Sequence, residues 1–157
     1  MSNDIDFPLV CLKVLEGGSS PTIKTETDIG FDLKTPKDII VNPGKSLLVD
    51  TLVKVSYIHP RFWIQLREKS GLAMRGLAVL GGIIDTGYRG NLGVILHNTT
   101  DQIISFSQGD SIAQGIIMMA LLPYDKLHVD DESLIPTSSV VRGEDGGLWR
   151  EQEKIEE

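Results

Sequence analysis

The chain has only one cysteine, Cys11, among its 157 residues. A single thiol cannot form a disulfide within the chain, so no internal cross-link is available to hold the fold together. The opening stretch, MSNDIDFPLVCLKVL, lacks the basic start of a secretion signal, and no apolar run is long enough to span a membrane. These absences predict a cytoplasmic protein without membrane contact, or a protein of the host cytoplasm or nucleus if the gene is viral.

Positive charge is scarce as well. The chain carries 15 Lys and Arg against 22 Asp and Glu, which gives a net charge of -7. Proteins that wrap duplex nucleic acid neutralise its phosphates with clustered basic side chains. The composition therefore predicts no direct contact with nucleic acid, although a small anionic ligand can still bind where positive groups meet locally.

What the sequence does contain is the composition of one globular domain, with 41% apolar and 24% charged residues. Its apolar residues recur mostly with a period of two, as in RFWIQLREK, where Phe62, Ile64 and Leu66 share one face. Short runs of this kind end at turn residues such as Gly109-Asp110. The pattern predicts an all-β sandwich or barrel, with one short helix within 70–76.

The last part of the chain differs in composition. From about residue 130 it becomes polar and charged, and it contains the glycine-rich stretch VVRGEDGGLW. We expect a β domain over residues 1–130 and an extended C-terminal arm over residues 131–157, which belongs to the same domain and can become ordered on a partner subunit.

The stretch LGGIIDTGYRGNLGVILHN, residues 80–98, is unusually rich in glycine. It predicts a hairpin in which Asp85 ends one strand and Tyr88 lies at the tip. Because glycine weakens a strand, glycines on both arms indicate either close approach of a flat ligand to the backbone or bulges and twists. The glycines concerned are Gly81, Gly82, Gly90 and Gly93.

Asp85-Thr86-Gly87 also matches the short motif that carries the carboxylate of aspartic proteases. Such a site needs two carboxylates, so a chain with one motif would have to dimerise. The residue after Gly87 should also be small, and here it is Tyr88. A short motif outside its context has a high false-positive rate, so we do not adopt the protease interpretation.

Three further clusters are weak when taken singly. Lys69-Ser70-Gly71 could offer a charge, a hydroxyl and backbone N–H groups to a phosphate, or Ser70 could simply cap the helix. Gln114 follows the Gly109-Asp110 turn on the polar side of a strand. Asp32 begins another strand, where a carboxylate is usually a solvated turn residue.

The order and spacing of these clusters resemble the five motifs of the trimeric dUTP pyrophosphatases, the dUTPases, over residues 27–149. The motifs are TDIGFDLKT, KSGLA, GGIIDTGYRGNLGVILHN, GDSIAQ and RGEDGGLW. The third is the most specific. The resemblance implies a β jelly roll, also called a β-clip, assembled as a homotrimer with shared active sites. It also implies hydrolysis of dUTP to dUMP and diphosphate with Mg²⁺, which limits uracil incorporation into DNA and supplies dUMP for dTMP synthesis.

The resemblance also assigns roles to residues of this chain. Asp85 matches the carboxylate that activates the attacking water, and Tyr88 matches the aromatic that packs on the deoxyribose and excludes a 2'-hydroxyl. Asp32 matches the residue that contacts the metal through water. The remaining matches are substrate-binding positions: Lys69, Ser70, Gly71 and Gln114 for the phosphates, Gly82, Ile83, Ile84 and Gly93 for uracil, and Arg142 for the γ phosphate.

The arm departs from the family pattern. Where members carry Arg-Gly-x-Gly-Gly-Phe-Gly-Ser-Thr-Gly, this chain has RGEDGGLWREQEKIEE, so the uracil-stacking Phe is missing. Leu148 or Trp149 could replace it, and Trp149 offers the better stacking surface. The second motif also has Lys69 in place of the usual Arg, which keeps the charge but loses bidentate geometry.

Two alternatives stay open at this point. A dCTP deaminase shares the fold but needs an acid-base Glu on the returning strand, where this chain has Ile95. A regulatory module with the dUTPase fold could have lost catalysis along with the usual arm, although it would have no reason to keep Asp85 and Tyr88.

Overall fold

The computed structural model describes residues 8–121, which form ten strands and one short helix. In chain order the elements are β1 Val10–Val14, β2 Gly30–Lys34, β3 Ile39–Val41, β4 Ser46–Ile58, β5 Phe62–Arg67, α1 Ser70–Met74, β6 Leu77–Leu80, β7 Ile83–Ile84, β8 Asn91–Asn98, β9 Ile104–Phe106 and β10 Ser111–Met119. The prediction of an all-β protein with one short helix is confirmed. The boundary between domain and arm at residue 130 lies outside the described residues and stays a prediction.

Two four-stranded antiparallel sheets make up most of the fold, in the orders β1-β4-β8-β6 and β2-β10-β5-β7. A smaller pair, β3 and β9, accompanies them. Strand β8 shows the clearest alternation, because every second side chain from Leu92 to Asn98 is buried. The same period of two, read from the sequence of β5, correctly places Ile64 and Leu66 in the interior.

One apolar core joins the two large sheets. Leu33, Ile64 and Ile112 come from one sheet, and Val94 and Leu96 come from the other, and all five are fully buried. The core and the sheet orders are those of a jelly-roll sandwich. No helix within residues 8–121 is long and apolar enough to cross a membrane.

The predicted hairpin at residues 80–98 is wrong in one respect. Strand β7 does not pair with β8, because it pairs with β5 in the opposite sheet, with Ile84 across from Ile64. The partner of β8 is instead β6, with Leu80 across from Ile95. The connection of residues 81–90 therefore leaves one sheet, adds a short edge strand to the other and returns. Sequence periodicity cannot reveal this change of sheet, because it does not report which strand lies alongside.

Strand β4 is interrupted where it faces the start of β8. Its pairing with β8 shifts register between Asp50 and Lys54, and Leu52 within this bulge has a φ of +57°. A left-handed backbone is uncommon for a residue with a side chain, so the surrounding contacts must hold it there. One such contact is the buried hydroxyl of Thr51, which donates to the carbonyl of Leu92 at 2.7 Å.

The glycine at position 82 is required by this packing. A Cβ at Gly82 would overlap the carbonyl oxygen of Leu66, whose N–H donates to the Gly82 carbonyl at 2.7 Å. At Gly82, the close backbone approach indicated by the glycines is an approach to the neighbouring strand β5. At Gly81 a φ of +60° explains the residue equally well.

We predict that Gly82→Ala lowers the free energy of unfolding by about 1–3 kcal/mol, because the methyl group must push β7 away from β5. Gly87→Ala serves as the control, since a Cβ there meets no atom within 4 Å. Urea unfolding of both variants measures the difference. Equal stability of Gly82→Ala and wild type would contradict the packing described here.

Candidate functional site

A buried ion pair lies at one end of the sheet formed by β2, β10, β5 and β7. Lys69 Nζ donates to Asp32 Oδ2 at 2.5 Å, and the Ser111 hydroxyl oxygen lies 3.4 Å from the same nitrogen. The side chains of Lys69 and Asp32 are 25% and 12% exposed. Asp32 is therefore a buried residue in the middle of β2, and the expectation of a solvated turn residue is wrong. The ammonium of Lys24 lies farther off, at 4.0 Å from Asp32 Oδ2.

Gln114 lies in the same row of the sheet as this pair. On β10 it faces Asp32 of β2 on one side and Arg67 of β5 on the other. Its side-chain amide donates to the carbonyl of Glu68 at 3.1 Å, which ties β10 to the residue before Lys69. Pairing across these strands thus brings three of the predicted site residues together, although they are far apart in sequence.

The short helix α1 begins directly after Lys69. Its N-cap is Lys69 and no side chain caps it, so the alternative in which Ser70 acts as the cap is wrong. Ser70 and Gly71 are instead its first two residues, and both are exposed. An exposed hydroxyl and backbone N–H groups that follow a lysine directly in the chain are donors of the kind that a phosphate oxygen accepts.

Glu68 adds a fixed negative charge beside this cluster. Its carboxylate accepts a hydrogen bond from its own backbone N–H, and this contact lowers the pKa of the Glu68 carboxyl below its ordinary value. The guanidinium of Arg67, 2.8 Å away, lowers it further. Glu68 is consequently ionised at neutral pH and offsets the charge of Arg67.

Asp85 lies on the turn after β7, and its side chain is exposed. The turn is closed by a hydrogen bond from the Tyr88 N–H to the Asp85 carbonyl at 3.0 Å. Arg89 Nη1 also donates to the carbonyls of Thr86 and Tyr88, at 2.8 and 2.6 Å. These contacts give the turn a defined shape.

The other predicted uracil-binding positions flank this turn. Ile83 is 68% exposed, whereas Ile84 belongs to the core at 8%. Any contact between Ile84 and a ligand would therefore come from its backbone. Gly82 is half-buried against Leu66, and Gly93 is paired with Asp50 of β4. Tyr88 is half-buried, and its ring packs against the core.

Within one chain, Asp85 lies far from the cluster of Asp32, Lys69 and Gln114. Asp85 follows Ile84, which lies opposite Ile64, whereas Gln114 lies opposite Arg67 near the other end of β5. Standard strand spacing and rise place the Cα atoms of Asp85 and Gln114 about 16 Å apart, and those of Asp85 and Asp32 about 20 Å apart. Two groups that act on adjacent phosphates must come much closer than this.

The arm residues Arg142, Leu148 and Trp149 lie outside the described residues, so their predicted roles are not tested by the structure. The same holds for the segment that would replace the stacking Phe.

A magnesium ion would find few protein ligands at either place. Among residues 8–121 no group of three or more His, Cys, Asp or Glu side chains could hold a metal. One buried carboxylate, Asp32, stands beside the Lys69 ammonium. This donor set fits an ion that is held mainly by phosphate oxygens and water and that touches the protein at one carboxylate, since Mg²⁺ keeps several of its waters.

Known proteins match this chain over most of its length. The family model for dUTPase matches residues 17–143. The deoxyuridine 5'-triphosphate nucleotidohydrolase of variola virus is 34% identical over 121 residues, which are 76% of this chain and 81% of that protein. The chain belongs to the dUTPase family.

Solved dUTPase structures agree with this assignment. The native EIAV dUTPase is 31% identical, covers 76% of this chain and 99% of its own, and superposes with a TM-score of 0.64. A mutant dUTPase from phage phi11 of S. aureus is 21% identical, with a TM-score of 0.68 over 78% of this chain and 97% of its own. The second likeness supports the fold alone. The described fold is therefore that of a dUTPase, as the motifs predicted.

Several residues around the site were not predicted from the sequence. Ser111 and Lys24 join the Lys69 ion pair, and Asp50 contacts the strand that follows the Tyr88 turn. Lys24 and Asp50 lie outside the family motifs quoted above, and neither carries a local pattern that marks it, because contacts between distant parts of the chain bring them to the site. Ser111 differs, because it lies within the quoted motif GDSIAQ, which is the signal that could have identified it.

The Lys69–Asp32 pair should contribute to stability through its burial. Removing one partner leaves the other partly buried and uncompensated, so we predict that Lys69→Met and Asp32→Leu each lower the unfolding free energy by about 1–3 kcal/mol. The double variant should recover most of this loss, because neither charge is then left alone. Urea unfolding of the four proteins measures the coupling, and simple additivity of the two losses would show that the pair is not formed.

Proposed function

We propose that this protein hydrolyses dUTP to dUMP and diphosphate. The observation that carries the proposal is the family match over residues 17–143, together with the variola virus relative named for this activity. At the positions that the family pattern requires, the sequence has the carboxylate of Asp85, the ring of Tyr88 and the phosphate-contacting residues Lys69, Ser70, Gly71 and Gln114. Asp85 and Ser70 are exposed, and Tyr88 and Lys69 are half-buried, which supports the proposal.

Asp85 is the proposed catalytic base. Its carboxylate is exposed on a turn whose backbone is fixed by the hydrogen bonds of Tyr88 and Arg89. A base placed in this way takes a proton from water as the water oxygen attacks the α phosphate, and the bond to the bridging oxygen of diphosphate breaks. Positioning of a general base typically contributes about 10²- to 10⁴-fold to the rate.

Recognition of the nucleoside is assigned to the segments around the same turn. The backbones of Gly82 and Gly93, with Ile83 and Ile84 beside Gly82, would pair with O4 and N3–H of uracil. Cytosine presents the opposite donor and acceptor, so its binding would leave buried polar groups unpaired. Tyr88 would stand against C2' of the sugar and exclude ribose by its volume.

The triphosphate is assigned to the cluster around Lys69. The Lys69 ammonium, the Ser70 hydroxyl, the Gly71 N–H and the Gln114 amide are donors on one side of the sheet, and they allow a chain of net charge -7 to bind a polyanion. Magnesium, as the proposed cofactor, would neutralise charge on the phosphates. Asp32 would contact it through water.

A homotrimer with shared sites reconciles these assignments. Because Asp85 and the Lys69 cluster lie on opposite ends of β5 in one chain, they can act on one triphosphate only if they come from different copies. The arm would then supply Arg142 for the γ phosphate and Leu148 or Trp149 over the base. We place this assembly in the cytoplasm, or in a host cell for a viral gene, in line with the viral relatives.

The deaminase alternative is not favoured. Its required acid would occupy position 95, where Ile95 lies in an apolar row between Leu48 and Leu80 on the neighbouring strands. No side chain in that row can transfer a proton.

We predict that the protein releases diphosphate from dUTP with Mg²⁺, with much lower rates for UTP, dTTP and dCTP. Asp85→Asn should lower kcat by about 10²- to 10⁴-fold, because the amide cannot accept the proton from water. Asp101→Asn, which changes an exposed carboxylate elsewhere, should leave the rate unchanged. Diphosphate release measures all of these, and wild-type activity in Asp85→Asn would refute the role of Asp85.

Shared sites predict complementation between two defective variants. Asp85→Asn and Lys69→Ala chains should each be poor catalysts. In randomly mixed trimers each site would take Asp85 from one copy and Lys69 from another, so about one quarter of the sites should contain both wild-type residues. The two proteins are unfolded together, refolded and assayed, with separately refolded samples as the control. No gain over the average of the separate samples would mean that both residues act from the same chain.

A further inference from the structure

The hydroxyl of Tyr88 is held by a short series of hydrogen bonds that begins in a different strand. The Tyr88 hydroxyl donates to the Asn91 carbonyl at 2.6 Å. The Asn91 side-chain amide in turn donates to Asp50 Oδ2 at 2.9 Å. Asn91 is the first residue of β8 and Asp50 lies in β4, so the series connects the tip of the turn to the neighbouring strand.

The carboxylate at the start of this series is itself fixed on both sides. Asp50 Oδ1 accepts the backbone N–H of Leu52 at 2.8 Å, inside the bulge where Leu52 has a φ of +57°. Asp50 is half-buried and its Cα is paired with Gly93. Both oxygens therefore have partners in defined positions, and a carboxylate that accepts two N–H donors in this way cannot rotate freely.

We propose that Asp50 is a positioning residue for sugar discrimination, acting through Asn91 on the ring of Tyr88. The inference rests on the proposed function, because it takes Tyr88 as the group that excludes ribose. Asp50 belongs to none of the family motifs found in the sequence.

The Tyr88 ring can exclude a larger sugar only if it is held firmly. Exclusion by volume depends on the ring staying in place when a larger sugar presses on it. The Tyr88 ring is half-buried against the core, and its hydroxyl donates to the Asn91 carbonyl. If Asn91 loses Asp50, the start of β8 can shift, the ring moves with it, and space opens for a 2'-hydroxyl. Discrimination should then fall while dUTP is still hydrolysed.

The test is the ratio of kcat/KM for dUTP to kcat/KM for UTP in Asp50→Ala, Tyr88→Phe and the double variant. Each single change should lower the ratio by about 2- to 10-fold, the effect of losing one ordinary hydrogen bond. The double variant should be no worse than either single one, because both changes break the same series. Asp50→Asn should keep most of the ratio, because its oxygen can accept the Leu52 N–H while its amide donates to a flipped Asn91 side chain.

Asp38→Ala is the matched control. Asp38 also accepts a backbone N–H, that of Gln108 at 2.7 Å, but it lies outside the turn and its supports. The Asp38→Ala variant should be less stable than wild type, with an unchanged ratio of kcat/KM for dUTP to kcat/KM for UTP. A loss of stability in Asp50→Ala with an unchanged ratio, or additive effects with Tyr88→Phe, would overturn the inference while leaving dUTP hydrolysis intact. Absence of dUTP turnover in the wild type would overturn the proposed function and this inference with it.

Discussion

Strand β5 is hydrogen-bonded to β10 on one side and to β7 on the other, and the two registers decide where each functional side chain can lie. Pairing of Arg67 with Gln114 brings Asp32, Lys69 and Gln114 together at one end of the sheet. Pairing of Ile64 with Ile84 directs Asp85 to the other end. A slip of either register by one residue would turn core side chains outward, so burial of Ile64 and Leu66 fixes both positions.

Asp85 and the Lys69 cluster lie at opposite ends of β5, too far apart in one chain to reach the same phosphate. Under the roles proposed above, each chain would therefore carry the residues of the site without a complete site. The proposed homotrimer would bring the two groups together from different copies without changing the fold. The proposed phosphate site would also allow a chain of net charge -7 to bind a polyanion, because a few donors concentrated at one place act locally.

Much of the fold and part of the site could be predicted from the sequence. The period of two correctly identified the buried face of β5, and the motifs correctly identified the family. The sequence did not reveal that β7 leaves its expected partner for β5, because periodicity reports burial and not neighbours. For the same reason it missed Asp50, which reaches the Tyr88 turn only through pairing of β4 with β8. The cap at Ser70 was wrong because the helix begins there rather than after it.

The most direct test of the divided site is a crystal structure with Mg²⁺ and a non-hydrolysable analogue of dUTP. The quantity to measure is which chains supply the Asp85 carboxylate and the Lys69 ammonium around one triphosphate. We predict that these two groups come from different copies, with Asp85 facing the α phosphate. A ligand contacted by Asp85 and Lys69 of the same chain would contradict the account.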